Sequence, residues 1–349
     1  MPLNNYRTVG RSGLVVSPLA LGTMTFGTAR WGTEQDASRA IFNTYREAGG
    51  NFIDTADVYG GGKSESMLGR FIAETGSRDD IVLATKFGFQ SGGRGNPNGG
   101  GAGAKNIYRA IDASLKRLGT DYIDLYWMHI WDGVTPVEEI VQTLGDLVRS
   151  GKIRYYGLSD MPAWFGMKAA TIASERGMPA PIALQLEYSL VARDVEDEHF
   201  PSAREGGMGI VPWSPLAGGL LSGKYRREGA EAVGRLRGPN PFGSSKFTER
   251  NWSILAELES IAQEISRPVA QVALAWTLAN SGVVSTLIGA SSMEQLRSNL
   301  DASGLMLSDS QKGRLDTVSA QEPGFGRALT RPDIRRMVFG GNTILGWGE

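Results

Sequence analysis

Short apolar runs alternate along the chain with longer segments in which apolar residues recur at helical spacing. The run IVLATK is followed by NIYRAIDASLKRL, and YIDLYWMH is followed by VEEIVQTLGDLVRSG. The alternation continues through YYGLS, AWFGMKAATIASERG, IALQLEY, a predicted helix near 195–205, GIVPWS, and VSTLIGA before SMEQLRSNL. With PLALG and NFIDTA upstream, the pattern predicts eight strands separated by helices, which is typical of a parallel sheet.

Eight such units without a break in composition favour one closed (β/α)8 barrel, of the TIM-barrel type, over an open doubly wound sheet. We therefore predict a single α/β barrel domain over residues 1–349. The opening YRTVGRSGLVVS predicts a β-hairpin that caps the barrel floor. Long loops are expected after the third strand, in GFQSGGRGNPNGGGAGAK, and after the seventh strand, from Leu216 onward. Loops of this length in a compact domain are usually either functional lids or disordered.

Composition narrows the function classes. Lys and Arg number 36 against 37 Asp and Glu, for a net charge of -1, so no strong field attracts nucleic acid or an anionic membrane. The chain has no cysteine, which excludes disulfides, thiol nucleophiles and cysteine zinc sites. No apolar run approaches a membrane span, and the amino terminus does not read as a signal peptide. We expect a cytoplasmic protein with a small-molecule partner.

Four polar side chains stand where predicted strands end. Asp54 closes NFID, Lys86 closes IVLATK, His129 closes YIDLYWMH, and Tyr59 lies in the loop after the second strand. Taken singly, each is more often a loop cap, a solvated charge or a structural residue. In a barrel, however, these strand ends converge on the catalytic face, and four such residues at one rim favour function.

Two nucleotide-binding patterns are excluded, and a metal site is not expected. GGGKS at 60–64 resembles the tail of a P-loop, but Asp57 occupies the position of its first glycine. The glycines of the 88–104 loop do not form the G-x-G-x-x-G pattern of a Rossmann fold. Two histidines without an H-x-H pair leave too few ligands for a metal-dependent barrel hydrolase.

The chain closely resembles the aldo-keto reductases over nearly its whole length. The matching stretches, in order, are LALGTMTFG, FIDTADVYGGGKSESMLG, TKFG, DLYWMH, KIRYYGLSD, LQLEYSL, WSPLAGGLLSGKY and LIGASSMEQLRSN. The resemblance implies an enzyme that uses NADP(H) to interconvert a carbonyl compound and an alcohol, with Asp54, Tyr59, Lys86 and His129 as the catalytic tetrad. Potassium-channel β subunits share this fold and these motifs, so a nucleotide-sensing regulatory subunit is the alternative.

The tetrad has a physical rationale. A phenol has a pKa near 10 and is a poor acid at neutral pH. An ammonium group at Lys86 is expected to lower the pKa of Tyr59, while Asp54 keeps the lysine charged. Tyr59 then serves as general acid, and Tyr59 with His129 holds the developing oxyanion.

The resemblance also implies the binding residues. Ser159, Asp160 and Gln185 would bind the nicotinamide carboxamide, and Trp213 would stack on the ring. Lys224, with Arg235 or Arg237, would bind the 2′-phosphate of NADP(H). The full set of expected cofactor contacts is Gly22, Thr23, Met24, Asp54, Ser159, Asp160, Gln185, Trp213, Ser214, Pro215, Leu216, Gly218, Leu220, Lys224, Arg235, Gly289, Ser291, Gln295 and Asn299. The expected substrate contacts are Met24, Trp31, Tyr59, Phe87 and Trp131.

Asp160 departs from the family pattern, in which many members carry Asn after the serine of the fifth strand. Two interpretations stay open. The carboxylate could lie beside the nicotinamide and favour its cationic, oxidised form. It could instead turn away and cap the helix that begins near Pro162.

Overall fold

Eight short parallel strands form the centre of the protein. The computed structural model describes residues 3–28, 31–93, 95–227, 236 and 246–344. All eight strands are apolar and largely buried, as expected for a sheet covered on both faces. A two-stranded hairpin of β1 (Arg7–Thr8) and β2 (Val15–Val16) precedes them, and they are β3 (Leu19–Gly22), β4 (Phe52–Asp54), β5 (Val82–Phe87), β6 (Ile123–Met128), β7 (Ile153–Ser159), β8 (Ala183–Glu187), β9 (Gly209–Trp213) and β10 (Thr286–Ile288).

The strands pair in sequence order from β3 to β9, and β10 pairs with β3. The remaining gap is bridged at Ile210, whose N–H donates to Gly282 O at 2.9 Å and whose carbonyl accepts from Val284 N at 2.9 Å. A parallel bridge joins Ile210 to Val283. The sheet therefore curls into a nearly closed barrel, and the predicted fold is confirmed.

Helices surround the barrel and pack their apolar faces against it. Among the described residues, two helices lie between β9 and β10, and three follow the helix Met293–Asp301; the sequence pattern specified none of these five. The helices are α1 (Gln35–Glu47), α2 (Lys63–Thr75), α3 (Ala104–Leu118), α4 (Val137–Arg149), α5 (Ala163–Glu175), α6 (Val195–Gly206), α7 (Glu249–Glu264), α8 (Val269–Leu278), α9 (Met293–Asp301), α10 (Asp309–Val318), α11 (Phe325–Leu329) and α12 (Pro332–Val338).

The amino-terminal hairpin covers the barrel end at which the strands begin. Arg11 N donates to Gly207 O at 2.8 Å, just before β9. The turn passes so close that a Cβ at Gly10, which has φ +56°, would lie 2.4 Å from the same carbonyl oxygen. Glycine is therefore required there. The predicted floor cap is confirmed, which leaves the opposite end, where the strands finish, open for a site.

Successive residues of β5 face opposite sides of the sheet, and this sorts the barrel into two layers. Lys86 points into the barrel, whereas Phe87 joins the core between strands and helices. Inside the barrel, Trp127 fills space that a side chain at residue 157 would occupy, since a Cβ on Gly157 would lie 2.3 Å from its ring. The barrel interior is thus filled at the level of Trp127, which is the register partner of Lys86.

Candidate active site

Lys86 is the centre of a buried polar cluster at the carboxyl end of β5. Its ammonium forms an ion pair with Asp54, at the end of the neighbouring strand β4. Lys86 Nζ also donates to Thr55 O at 2.9 Å and lies 3.4 Å from Tyr59 Oη. The side chains of Lys86 and Asp54 are 0% and 2% exposed. One ammonium therefore links the carboxylate to the phenol.

Tyr59 reaches the cluster from a tight turn between β4 and α2. Gly60 and Gly61 follow it with φ of 58° and 66°, values that favour glycine. His129, directly after β6, donates its backbone N–H to Phe87 O at 2.8 Å. Its ring centroid lies 5.7 Å from that of Tyr59. The structure thus places the four predicted tetrad residues together.

The net pKa shift of Tyr59 is opposite to the one expected from Lys86 alone. Burial raises the pKa of Tyr59 above its usual value, and the lowering effect of the Lys86 charge does not overcome it. Removing a phenolate from water is costly, which is why burial has the larger effect. The phenol is therefore protonated at neutral pH, the form that a general acid needs.

The neighbouring bases have defined charge states. Burial lowers the pKa of Lys86, but Asp54 and Tyr59 outweigh this and raise it, so the amine is an ammonium at neutral pH. Burial, assisted by the Lys86 charge, holds the pKa of His129 well below its usual value. The imidazole is neutral and can donate one hydrogen bond without adding a second positive charge.

Above the cluster lies a cleft of about 1650 Å³. Ordinary small-ligand pockets measure about 300–1,000 Å³, so this cleft has room for a dinucleotide and a substrate together. It spans from the tetrad to the start of α9. The predicted residues that line it are Gly22, Met24, Trp31, Asp54, Tyr59, His129, Ser159, Asp160, Gln185, Trp213, Ser214, Pro215, Leu216, Gly218, Lys224, Gly289, Ser291, Gln295 and Asn299.

Two expected cofactor contacts lie behind the wall of the cleft. Thr23 is buried and its hydroxyl donates to Asp54 O at 3.0 Å, so it supports the strand end. Leu220 is buried in the hydrophobic core. Arg235, and Arg237 with it, lie outside the described residues.

Two expected substrate contacts, Phe87 and Trp131, are not among the residues that line the cleft. Phe87 packs against Tyr126 at 5.0 Å between ring centroids, in the outer core layer, because it follows the inward-facing Lys86 on the same strand. Trp131 packs against Trp164 and Phe165, at 5.5 and 5.2 Å. Phe89 lines the cleft instead. Phe89 lies beyond the end of β5, after Gly88, so the strand alternation that turns Phe87 outward does not determine its direction.

Asp160 does not cap the following helix. The N-cap of α5 is Pro162, and no side chain caps it. Asp160, in a left-handed conformation with φ 44°, instead accepts a hydrogen bond from Trp213 Nε1 at 3.0 Å. Burial, opposed by this hydrogen bond, raises the pKa of Asp160 to about 6. Glu187 lies beside Trp213 in the strand register and was missed by sequence reasoning.

Comparisons with known proteins agree with this geometry. The aldo/keto reductase family profile matches residues 18–320. The chain belongs to this family. It is 35% identical to norsolorinic acid reductase of Aspergillus flavus, over 90% of this chain and 80% of that one. It is 38% identical to the uncharacterized oxidoreductase YrpG of Bacillus subtilis, over 85% and 90%, and 35% identical to a probable voltage-gated potassium channel subunit beta of rice, over 85% and 90%.

As an aldo/keto reductase, the chain is an oxidoreductase of the carbonyl and alcohol class that acts on small molecules, in a family that generally uses a nicotinamide cofactor. Among the described residues, no helix is long and apolar enough to cross a membrane. The described residues also contain no group of three His, Asp or Glu side chains that could hold a metal ion.

The cleft of this aldo/keto reductase fits a nicotinamide dinucleotide. Ser159 Oγ is buried, lines the cleft and has no hydrogen-bond partner within the described chain. It stands beside Gln185 in the strand register, so two amide-binding groups are adjacent. At the other end, Ser291 and Gln295 line the cleft at the amino terminus of α9, where backbone amides favour an anion.

Proposed function

We propose that the protein is an NADP(H)-dependent oxidoreductase that interconverts an aldehyde or ketone and an alcohol, with Tyr59 as general acid and base. The observation that carries this proposal is the position of the Lys86 ammonium, which contacts both the Asp54 carboxylate and the Tyr59 hydroxyl in a buried site. This arrangement stands at the bottom of a cleft large enough for a dinucleotide.

The cofactor supplies a hydride when it is bound, and the residues of this chain orient it. Ser159 and Gln185 would hold the carboxamide, and the indole of Trp213 would stack on the ring. Lys224 lines the cleft and makes no ion pair with a described residue, so its ammonium is available to a phosphate. A charge-assisted contact of this kind favours NADP(H) over NAD(H).

Tyr59 and His129 act on the carbonyl oxygen. The neutral imidazole of His129 and the protonated phenol of Tyr59 both serve as donors to the oxygen as negative charge develops on it. Tyr59 then gives up its proton to that oxygen, and the adjacent Lys86 ammonium stabilises the phenolate left behind. In the direction of alcohol oxidation, the phenolate removes the hydroxyl proton.

A panel of aldehydes, ketones and alcohols, assayed with NADPH and NADP⁺ by nicotinamide absorbance, tests the proposal. We expect turnover of at least one carbonyl compound, with a higher kcat/KM for NADPH than for NADH. Tight cofactor binding without turnover of any compound would contradict an enzymatic role.

The second candidate is a nucleotide-sensing regulatory subunit, which the similarity to the rice protein named as a potassium-channel β subunit favours. The tetrad does not separate the two candidates, since those subunits share its motifs. Cofactor binding without turnover would support it. The cytoplasmic location expected from the sequence is part of both proposals.

A further inference from the structure

Aromatic and apolar side chains surround the carbonyl end of the cleft. The ring of Phe89 meets the ring of His129 edge-on, with 4.8 Å between centroids. Trp31, Val58 and Ile130 line the same cleft. Among the described lining residues the only Lys or Arg is Lys224, so the described part of the lining offers an anionic substrate no cationic side chain beside His129.

Phe89 is held by a fixed point on each side. Before it, Gly88 O accepts from Gly101 N at 2.8 Å. After it, Ser91 Oγ donates to Asp57 Oδ2 at 2.6 Å, and Arg109 Nη2 donates to Ser91 Oγ at 3.0 Å. The glycine-rich loop is therefore anchored at its base, where it carries Phe89.

Asp57 connects this loop to the tetrad. Its backbone N–H donates to Lys86 O at 3.1 Å, and it stands two residues before Tyr59. The residue is only 2% exposed, and its Oδ1 has no hydrogen-bond partner among the described residues. Burying a carboxylate is unfavourable unless it is paired. Ser91 donates the side-chain hydrogen bond that this buried carboxylate accepts, and Ser91 stands two residues after Phe89.

We infer that Phe89 selects an uncharged aryl aldehyde or aryl ketone, and that Asp57, acting through Ser91, is a positioning residue that holds Phe89 beside His129. The inference rests on the proposed function, because the substrate must carry a carbonyl group. Edge-on and offset aromatic contacts form at centroid separations of about 4.5–7 Å. An aryl ring bound beside His129 would find Phe89 already oriented for such a contact.

The first test compares benzaldehyde with cyclohexanecarbaldehyde, which has a similar size but no aromatic ring. In Phe89→Leu we expect the ratio of the two kcat/KM values, aryl over saturated, to fall about 2- to 10-fold relative to wild type. Intrinsic reactivity cancels in this comparison, and the cofactor Kd should stay unchanged. An unchanged ratio would overturn the role of Phe89. Equal kcat/KM for benzaldehyde and 4-carboxybenzaldehyde in the wild type would overturn the preference for an uncharged ring.

The second test addresses the anchor. Ser91→Ala should raise the KM for benzaldehyde and lower the ratio of kcat/KM for benzaldehyde over cyclohexanecarbaldehyde. Ser91→Thr, which keeps the hydroxyl, should have the wild-type ratio. Ser150→Ala is the matched control, since it removes a hydroxyl bonded to Leu147 O at 3.0 Å at the far end of α4. If Ser91→Ala lowered kcat/KM equally for both aldehydes and also lowered the melting temperature, Ser91 would have only a structural role and the inference would be overturned.

A double-mutant cycle tests whether Asp57 acts through Ser91. If it does, Asp57→Ala combined with Ser91→Ala lowers the ratio no further than either single change. Additive effects would contradict this. Failure of the wild type to turn over any carbonyl compound of the panel would instead count against the proposed function, whereas turnover of both aldehydes with an unaltered ratio in Phe89→Leu would count against this inference alone.

Discussion

The indole Nε1 of Trp213 donates a hydrogen bond to Asp160 Oδ1 at 3.0 Å, and both side chains line the cleft. This contact joins the loop after β7 to the end of β9. It places a carboxylate next to the residue expected to stack on the nicotinamide. The charge-bias interpretation of Asp160 therefore stays a prediction, while the helix-capping interpretation is wrong.

Asp160→Asn should weaken the preference for the oxidised cofactor. Asn keeps an oxygen that can accept from Trp213, so the change removes charge with little change of shape. An attraction of about 1 kcal/mol between the carboxylate and a cationic ring predicts that the ratio of Kd for NADP⁺ over NADPH rises about 3- to 10-fold. Fluorescence titration measures both constants. Trp213→Phe, which removes the indole N–H but keeps the charge, is the control; equal changes in both Kd values in Asp160→Asn would refute the electrostatic role.

The ratio of Kd for NADP⁺ over NADPH should also depend on pH. Burial, opposed by the Trp213 hydrogen bond, raises the pKa of Asp160 to about 6, with Glu187 raising it and Lys86 lowering it. The carboxylate forms as pH increases through this value, so the wild-type ratio of Kd for NADP⁺ over NADPH should fall from about pH 5 to about pH 7.5. Titration of a cofactor phosphate changes the Kd values of NADP⁺ and NADPH alike, so it cancels in their ratio. A slope of the same size in Asp160→Asn would show that another group is responsible.

Lys224 should set the preference for NADP(H). Its ammonium lines the cleft and has no ion-pair partner in the described part of the chain. Lys224→Met should raise the Kd for NADPH by about 10- to 100-fold, because a charge-assisted contact is worth about 1.5–3 kcal/mol, and should leave the Kd for NADH nearly unchanged. Lys168→Met, on a lysine paired with Glu138 at 2.7 Å, is the control. Equal wild-type affinity for NADPH and NADH would sink the assignment.

Asp54 and Lys86 should be strongly coupled in stability. Both are almost fully buried, and breaking such a pair leaves one charge without a partner. Asp54→Asn should lower the free energy of unfolding by about 3–5 kcal/mol. Adding Lys86→Met should recover part of the loss, which chemical denaturation would detect. Additive losses in the double variant would mean that the two groups do not compensate each other's charge.

The barrel could be predicted from sequence because it depends on local periodicity, whereas the tetrad as a catalytic set, Tyr59 included, came from the family resemblance. Alternating strand and helix patterns gave the eight strands, and strand ends gave Asp54, Lys86 and His129. The five unpredicted helices include α8, which is buried on nearly all sides and so lacks the polar face of an amphipathic helix.

Contacts that depend on tertiary structure were harder to foresee. Phe87 was placed in the lining although strand alternation turns it outward, and Phe89 was missed. The pairing of Asp160 with Trp213 joins residues 53 apart in the chain, and no local pattern indicates it. The pKa of Tyr59 was expected to fall because the Lys86 charge is visible in the motif, whereas the opposing effect of burial requires the packed structure.

The central claim is that Tyr59 transfers the proton, and the kcat of Tyr59→Phe for reduction of a carbonyl substrate tests it most directly. Phe keeps the ring and its contact with His129 and removes only the hydroxyl. We expect kcat to fall about 10²- to 10⁴-fold, while the Kd for NADPH stays within about twofold of wild type because the hydroxyl is not among the expected cofactor contacts. Retention of more than about a tenth of kcat, with the chemical step shown to be rate-limiting, would contradict the account.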